Sequence, residues 1–199
     1  MKKKNFILMG IVMTLMVGFF TSFAAVPAQA VNRHKQVEKT VTKLYNGVKK
    51  NDKATVSKYV KIKKNSIVHA FWPSLKKYHT DLKYQVKSVD VTGKKAVVRV
   101  KVKYQDLSKV HYKALDRYSD WYKQYYIKNN KKPSNKEVQA NYAANFKKAL
   151  KGYQKKYATK TVRLTLQRKD NDWTAKTLSK NGIDSITGGY QSAYEAYFQ

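Results

Sequence analysis

The residues of this chain best suited to chemistry are cations set at a spacing of two. In Lys95–Tyr104, Val98, Val100, Val102 and Tyr104 alternate with Arg99, Lys101 and Lys103. An extended chain would turn the valines to one side and the cations to the other. Lys83 and Lys87 fall in the same phase against Leu82, Tyr84 and Val86, and Arg163 does so between Val162 and Leu164. Together Lys83, Lys87, Arg99, Lys101, Lys103 and Arg163 would make one anion-binding sheet face, suited to a phosphate polymer. The competing reading is a solvated strand face in a lysine-rich chain. Like charges opposite one another on neighbouring strands repel, so such a row is either used or tolerated.

A second surface is aromatic. Tyr118, Trp121, Tyr122 and Tyr125 recur at helical spacing and, with Tyr112 and Tyr126, spread over a wider arc than the ~100° of a core-facing stripe. Aromatics interleaved with lysine suit single-stranded nucleic acid or sugars. Sandwiched between a sheet and a partner helix, the same rings would be core. Catalytic chemistry has less to work with. His34, His69, His79 and His111 show no paired metal-ligand spacing and cysteine is absent, so no metal or other cofactor is expected. The chain holds three glutamates, few for general acid–base work, and neither a glycine-rich phosphate loop nor a Gly-x-Ser-x-Gly elbow occurs.

The elements needed to hold these residues follow from periodicity. A helix from His34 carries Val37, Val41, Leu44, Tyr45 and Val48 on one stripe. Asn51-Asp52 ends it and caps a short helix that turns Val56, Tyr59 and Val60 inward. Ile67–Trp72, closed by Pro73, reads as a third short helix or packed loop that delivers Phe71 and Trp72 to the core. Leu82–Val86 and Lys95–Tyr104 form a hairpin turning at Thr92-Gly93, with a bulge near Ser88 because Val89 and Val91 fall out of phase. A second hairpin runs from Thr161 to Leu178 and turns at Lys169–Asp172. Between the hairpins, residues 106–157 read as a helical pair broken at Asn129–Pro133. Ser134 and Glu137 make a capping box there, and Val138, Tyr142, Phe146, Leu150, Tyr153 and Tyr157 form the second stripe. Ile183–Tyr190 reads as a closing helix or turn.

The formal net charge is +30, from 42 Lys+Arg against 12 Asp+Glu. Residues 1–30 read as a secretory signal peptide: Lys2–Lys4, an uncharged apolar run Phe6–Phe23, and a small-x-small site ending at Ala30. Its removal leaves a single α+β domain, 31–199, of about 170 residues, large enough to bury a core without disulfides. With the three leader lysines gone the charge is +27, a field that attracts polyanions. Only five of the cations are arginine, the side chain suited to bidentate phosphate reading, whereas lysine acts as a point charge.

The order of elements, together with Leu44–Asp52, Ala96–Tyr104, Val162–Trp173 and the Ile-x-x-Ile-Thr-Gly-Gly run Ile183–Gly189, resembles small exported proteins of Gram-positive bacteria with a nuclear-transport-factor-2-like (cystatin-like) cone. The resemblance implies N-terminal helices packed on a curved antiparallel sheet of two hairpins, here with a long helical hairpin inserted between them. Enzymes of that superfamily place an Asp with Tyr or His in the cone, which would make Asp81, His79, Asp116 and Tyr84 the first candidates. The expectation is a secreted, non-enzymatic binding domain, loosely held by charge to wall polymers such as teichoic acid or to the anionic membrane face. The alternatives are an extracellular nucleic-acid binder without sequence preference and a cavity enzyme of isomerase or hydratase type.

Overall fold

The computed structural model describes residues 28–60, 62 and 66–199 of the chain. The apolar run of the expected leader lies outside them. The chain divides into two units, Met1–Arg33 and His34–Gln199, and the second carries the fold described here.

Helix α1 (Ala28–Lys49) turns Val37, Val41, Leu44, Tyr45 and Val48 to one side, and all five are buried. It stops at Asn51, which takes a left-handed conformation (φ 55°). The amides of Asn51 and Asp52 close back on the carbonyls of Val48 and Gly47, each at 2.8 Å. Asp52 then caps α2 (Lys53–Tyr59), accepting from the Thr55 amide at 3.0 Å. Helix α3 (Ile67–Phe71) is not closed by Pro73, as its sequence suggests. Pro73 sits instead in the first turn of a 3-10 helix, Trp72–Leu75, where a missing N–H leaves no partner unsatisfied, and α4 (Lys76–His79) continues from it.

Strands β1 (Lys83–Thr92), β2 (Lys95–Gln105), β3 (Tyr157–Lys169) and β4 (Asp172–Leu178) form one open antiparallel sheet in the order β1-β2-β3-β4. The first hairpin turns at Gly93 (φ 59°) and the second at Asp170 (φ 54°). The register of β1 shifts between Val86 and Ser88, leaving Lys87 as the extra residue of a bulge. Helices α5 (Ser108–Asn129) and α6 (Asn135–Leu150) lie between β2 and β3 in the chain. They reverse at Asn130 (φ 48°), and the Ser134–Glu137 capping box is formed in full. The expected stripe of α6 overruns its end: Tyr153 lies beyond the helix and Tyr157 opens β3. The Tyr153 hydroxyl donates to the Lys156 carbonyl and accepts from the Lys156 amide, both at 3.0 Å, which folds the connection into a turn.

The class is α+β. Val98, Val100 and Val102 of β2 and Val162 and Leu164 of β3 have no exposure and share a core with Phe71, Tyr142 and Phe146. The Ile183–Gly189 run is the centre of this packing. It forms most of α7 (Lys180–Thr187) and the two-glycine link to α8 (Tyr190–Phe198). Two buried histidines meet its consecutive carbonyls: Nε2 of His79 lies 3.0 Å from the Ile186 oxygen, and Nε2 of His111 lies 2.8 Å from that of Thr187. A carbonyl only accepts, so both Nε2 atoms carry the proton. Nδ1 of His111 then accepts from the Tyr142 hydroxyl at 3.0 Å. Nδ1 of His79 lies 3.0 Å from Oδ1 of Asn51, and a neutral ring there requires the Asn51 amide to present its NH2 group instead. Burial holds both rings neutral, with pKa values pushed down to about 4. The glycines are required by space: a Cβ on Gly188 (φ +71°) would stand 2.9 Å from Leu107 Cδ1.

Candidate functional site

The face of the sheet opposite the valine core is exposed, and its cations stand in direct register. Arg99 lies between Ser88 and Arg163, Lys101 between Gln85 and Thr161, and Lys103 between Lys83 and Thr159. Lys83, Arg99, Lys101, Lys103 and Arg163 are all exposed on it, and Lys87 is exposed at the bulge. The alternation dictates this, because burying Val98, Val100 and Val102 sends their neighbours outward. Two pairs of like charge, Lys83 with Lys103 and Arg99 with Arg163, face each other across adjacent strands. Asp90, the one acidic residue in β1, β2 and β3, lies exposed on this face opposite Val97, so the row keeps a large positive excess. Ser, Thr and Gln beside the cations supply neutral donors without adding charge.

The row ends at a tight cluster. Tyr157 lies opposite Gln105, with the Lys103 ammonium 4.6 Å from its ring centre and that of Lys155 at 5.5 Å. The Tyr157 hydroxyl donates to Oδ2 of Asp81 at 2.8 Å, and Gln105 Nε2 donates to the same oxygen at 2.7 Å. The Lys155 ammonium pairs with it at 2.7 Å. Hydrogen bonds from Lys155 and Tyr157 hold the Asp81 carboxyl down at about 2, and the same contact raises the Lys155 ammonium. Asp81 is thereby a fixed anion that locks a lysine and a tyrosine in place.

Two open grooves meet at this cluster and share Tyr153 and Lys155. One, of about 390 Å³, runs between the start of α5 and the end of α6 and is bordered by Lys109, Lys113 and Lys156. The other, of about 440 Å³, is bordered by Lys77 and Lys151 and reaches Asp81 and Gln105. The sequence reading missed these residues because it placed Tyr153 and Tyr157 on a helical stripe. The run Lys151–Tyr157, with paired lysines between tyrosines immediately after a glycine, was the available signal.

The helical aromatics are placed differently. Tyr118, Trp121, Tyr122 and Tyr125 are half-buried. Tyr118 packs on Tyr142 of α6 at 6.2 Å, and Trp121 packs on Tyr125 at 5.4 Å. The Tyr125 hydroxyl donates to Glu137 at 2.9 Å. Tyr112 and Tyr126 are more exposed, but Tyr112 meets Tyr197 edge-on at 5.4 Å. These rings mainly join helices. The acid–base candidates have separate engagements: His79 is spent on Ile186 and Asn51, and Asp81 on the surface cluster. Tyr84 stacks on Tyr45 at 5.2 Å and donates to Asn46, while Asp116 is exposed. Among the described residues, no group of three or more His, Asp or Glu could hold a metal, and no helix is long and apolar enough to cross a membrane.

The fold and this surface define an α+β protein with one uncovered cationic sheet face. No family model matches the chain, and no curated protein matches it. One solved structure to which it is similar is a candidate lipoprotein (ycdA) of Bacillus subtilis, with 22% sequence identity and a TM-score of 0.34. That match covers 75% of this chain and 45% of the other.

Proposed function

We propose that this is an exported, envelope-associated binding domain whose cationic sheet face holds anionic wall polymers of the teichoic acid kind, without catalysing a reaction. The observation that carries this reading is the uncovered face itself, where like charges sit in direct register and Asp90 is the one acid in β1, β2 and β3. That arrangement costs stability wherever it is not used. The leader-like segment, with its basic start, apolar run and small-x-small exit, supports export and cleavage near Ala30. The non-enzymatic reading draws on the separate engagements of His79, Asp81 and Tyr84, on the exposure of Asp116, and on the burial of Phe71 and Trp72 in the core. Helices on one side of a bulged antiparallel meander support a nuclear-transport-factor-2-like description of residues 31–199.

The test is binding of the purified protein to isolated anionic wall material across a salt series, beside a variant with Lys83, Arg99, Lys101, Lys103 and Arg163 all changed to Gln. The expected result is tight association at low salt that weakens steeply as salt rises, as for any contact built on released counterions. The five-fold variant should bind at least ~10-fold more weakly, since each lysine near an anionic surface contributes about 1 kcal/mol. Equal binding by the two proteins would remove the sheet face from the function.

A further inference from the structure

The exposed cations do not stop where the sheet stops. Six lysines, Lys77, Lys109, Lys113, Lys151, Lys155 and Lys156, border the two grooves, against two aspartates, Asp81 and Asp106. Both aspartates are already paired, Asp81 with Lys155 at 2.7 Å and Asp106 with Lys156 at 3.9 Å. Four lysines therefore remain to face a ligand. Lys109 and Lys113 are one helical turn apart, so their side chains share one wall of the groove. The bridge between sheet and grooves is Tyr157, whose ring lies against Lys103 from the sheet and Lys155 from the grooves.

We infer that the grooves and the sheet face form one continuous site, and that its ligand is a single flexible polyol-phosphate chain that runs along β2, bends over Tyr157 and enters the grooves. This rests on the anionic-polymer reading above and adds the path and shape of the ligand. Three properties of the site select that chemistry. From Arg99 to Lys103 the row spans four residue steps, roughly 13 Å of extended strand, so the whole track exceeds any single phosphate group. The track turns from an open face into concave grooves, which a flat bilayer cannot follow. Its cations are mostly lysines, point charges that suit successive phosphates, and the half-buried α5 rings offer little for nucleobases to stack on.

The test measures affinity of the full chain for poly(glycerol phosphate) in two lengths, one spanning only the sheet row and one long enough to reach the grooves, at one low ionic strength. A variant with Lys77, Lys109, Lys113 and Lys151 changed to Gln leaves the Lys155–Asp81 and Lys156–Asp106 pairs intact and alters only exposed side chains. Wild type should bind the long oligomer ~10-fold or more tighter than the short one, because the second segment binds within the same complex. The variant should lose that length advantage and keep its affinity for the short oligomer. A length advantage that persists in the variant overturns the continuous site while leaving the sheet face in function. Failure of wild type to bind either oligomer overturns the anionic-polymer reading itself. Tighter binding of single-stranded oligothymidylate of matched charge replaces the ligand class with nucleic acid. A loss of anionic-vesicle binding in the variant equal to its loss of the long oligomer overturns the curved path.

Discussion

Mild acidification should destabilise this protein through His79 and His111. Each ring ordinarily titrates near 6.5, and burial pushes each down to about 4. As pH falls through the first value the unfolded chain binds a proton on each ring, and the folded chain does not until about pH 4. Stability is therefore whole above about pH 6.5 and is lost on the way down to about pH 4. Linkage gives about 2 kcal/mol per ring at pH 5 and about 3 per ring below pH 4. Two rings together approach the lower end of a domain's total stability, ~5–15 kcal/mol. The surroundings offer little relief. Trp72 meets His79 edge-on at 5.0 Å, and Phe71, Phe146, Tyr142 and Tyr190 enclose His111. Among the described residues the charge acting on His111 is that of Asp106, which raises its pKa against the larger effect of burial. Asp52, Asp81, Glu137 and Glu195 are held below the usual carboxylate range by their hydrogen bonds, so their loss begins at lower pH. Urea unfolding followed by fluorescence at about pH 7.5 and about pH 5 should show the midpoint falling with little change in slope. A His79→Gln/His111→Gln variant keeps a donor for each carbonyl without titrating, and its two midpoints should lie close together. Equal wild-type stability at the two pH values, or an undiminished fall in the variant, would refute the assignment of neutral buried rings.

Two further perturbations read other parts of the structure. Gly188→Ala places a Cβ 2.9 Å from Leu107 in a backbone with φ +71°; the left-handed conformation alone costs about 1–2 kcal/mol, so thermal unfolding should shift down by several degrees, and an unchanged midpoint would mean the link can re-form elsewhere. Arg99→Thr removes one member of the facing Arg99–Arg163 pair; at low salt it should stabilise the fold by a few tenths to about 1 kcal/mol while weakening polymer binding. A variant that is no more stable, or that binds as well as wild type, contradicts the use of the row.

The local architecture was legible where one period dominates. Val98–Tyr104 announced its register because the alternation is unbroken, and Val89 and Val91 located the bulge by falling out of phase. Ser134 and Glu137 announced α6 because both partners of the capping box lie within one turn. Legibility failed where chain-distant contacts decide. Tyr153 and Tyr157 fit a helical spacing, yet the Tyr153 hydroxyl is held by the backbone of Lys156 and Tyr157 pairs with Gln105 across the sheet. The roles of His79 and His111 were equally hidden, since their carbonyl partners lie 107 and 76 residues away. The sheet-face cations could be listed in advance. Their continuation into the grooves depends on where Asp81 meets Lys155, which no local pattern encodes.

The bulge at Lys87 bears on how copies of this protein avoid pairing along a sheet edge. β1 is an edge strand of ten residues, and its outer amides and carbonyls are a template for another strand. Any polyanion that gathered copies side by side would neutralise part of the charge repulsion between them. At that point only the shape of the edge opposes sheet-to-sheet joining. The extra residue breaks the regular spacing of the edge, and the lysine it carries would have to be desolvated before a second strand could pair there. An edge guarded in this way resists pairing between copies even where their charge is neutralised.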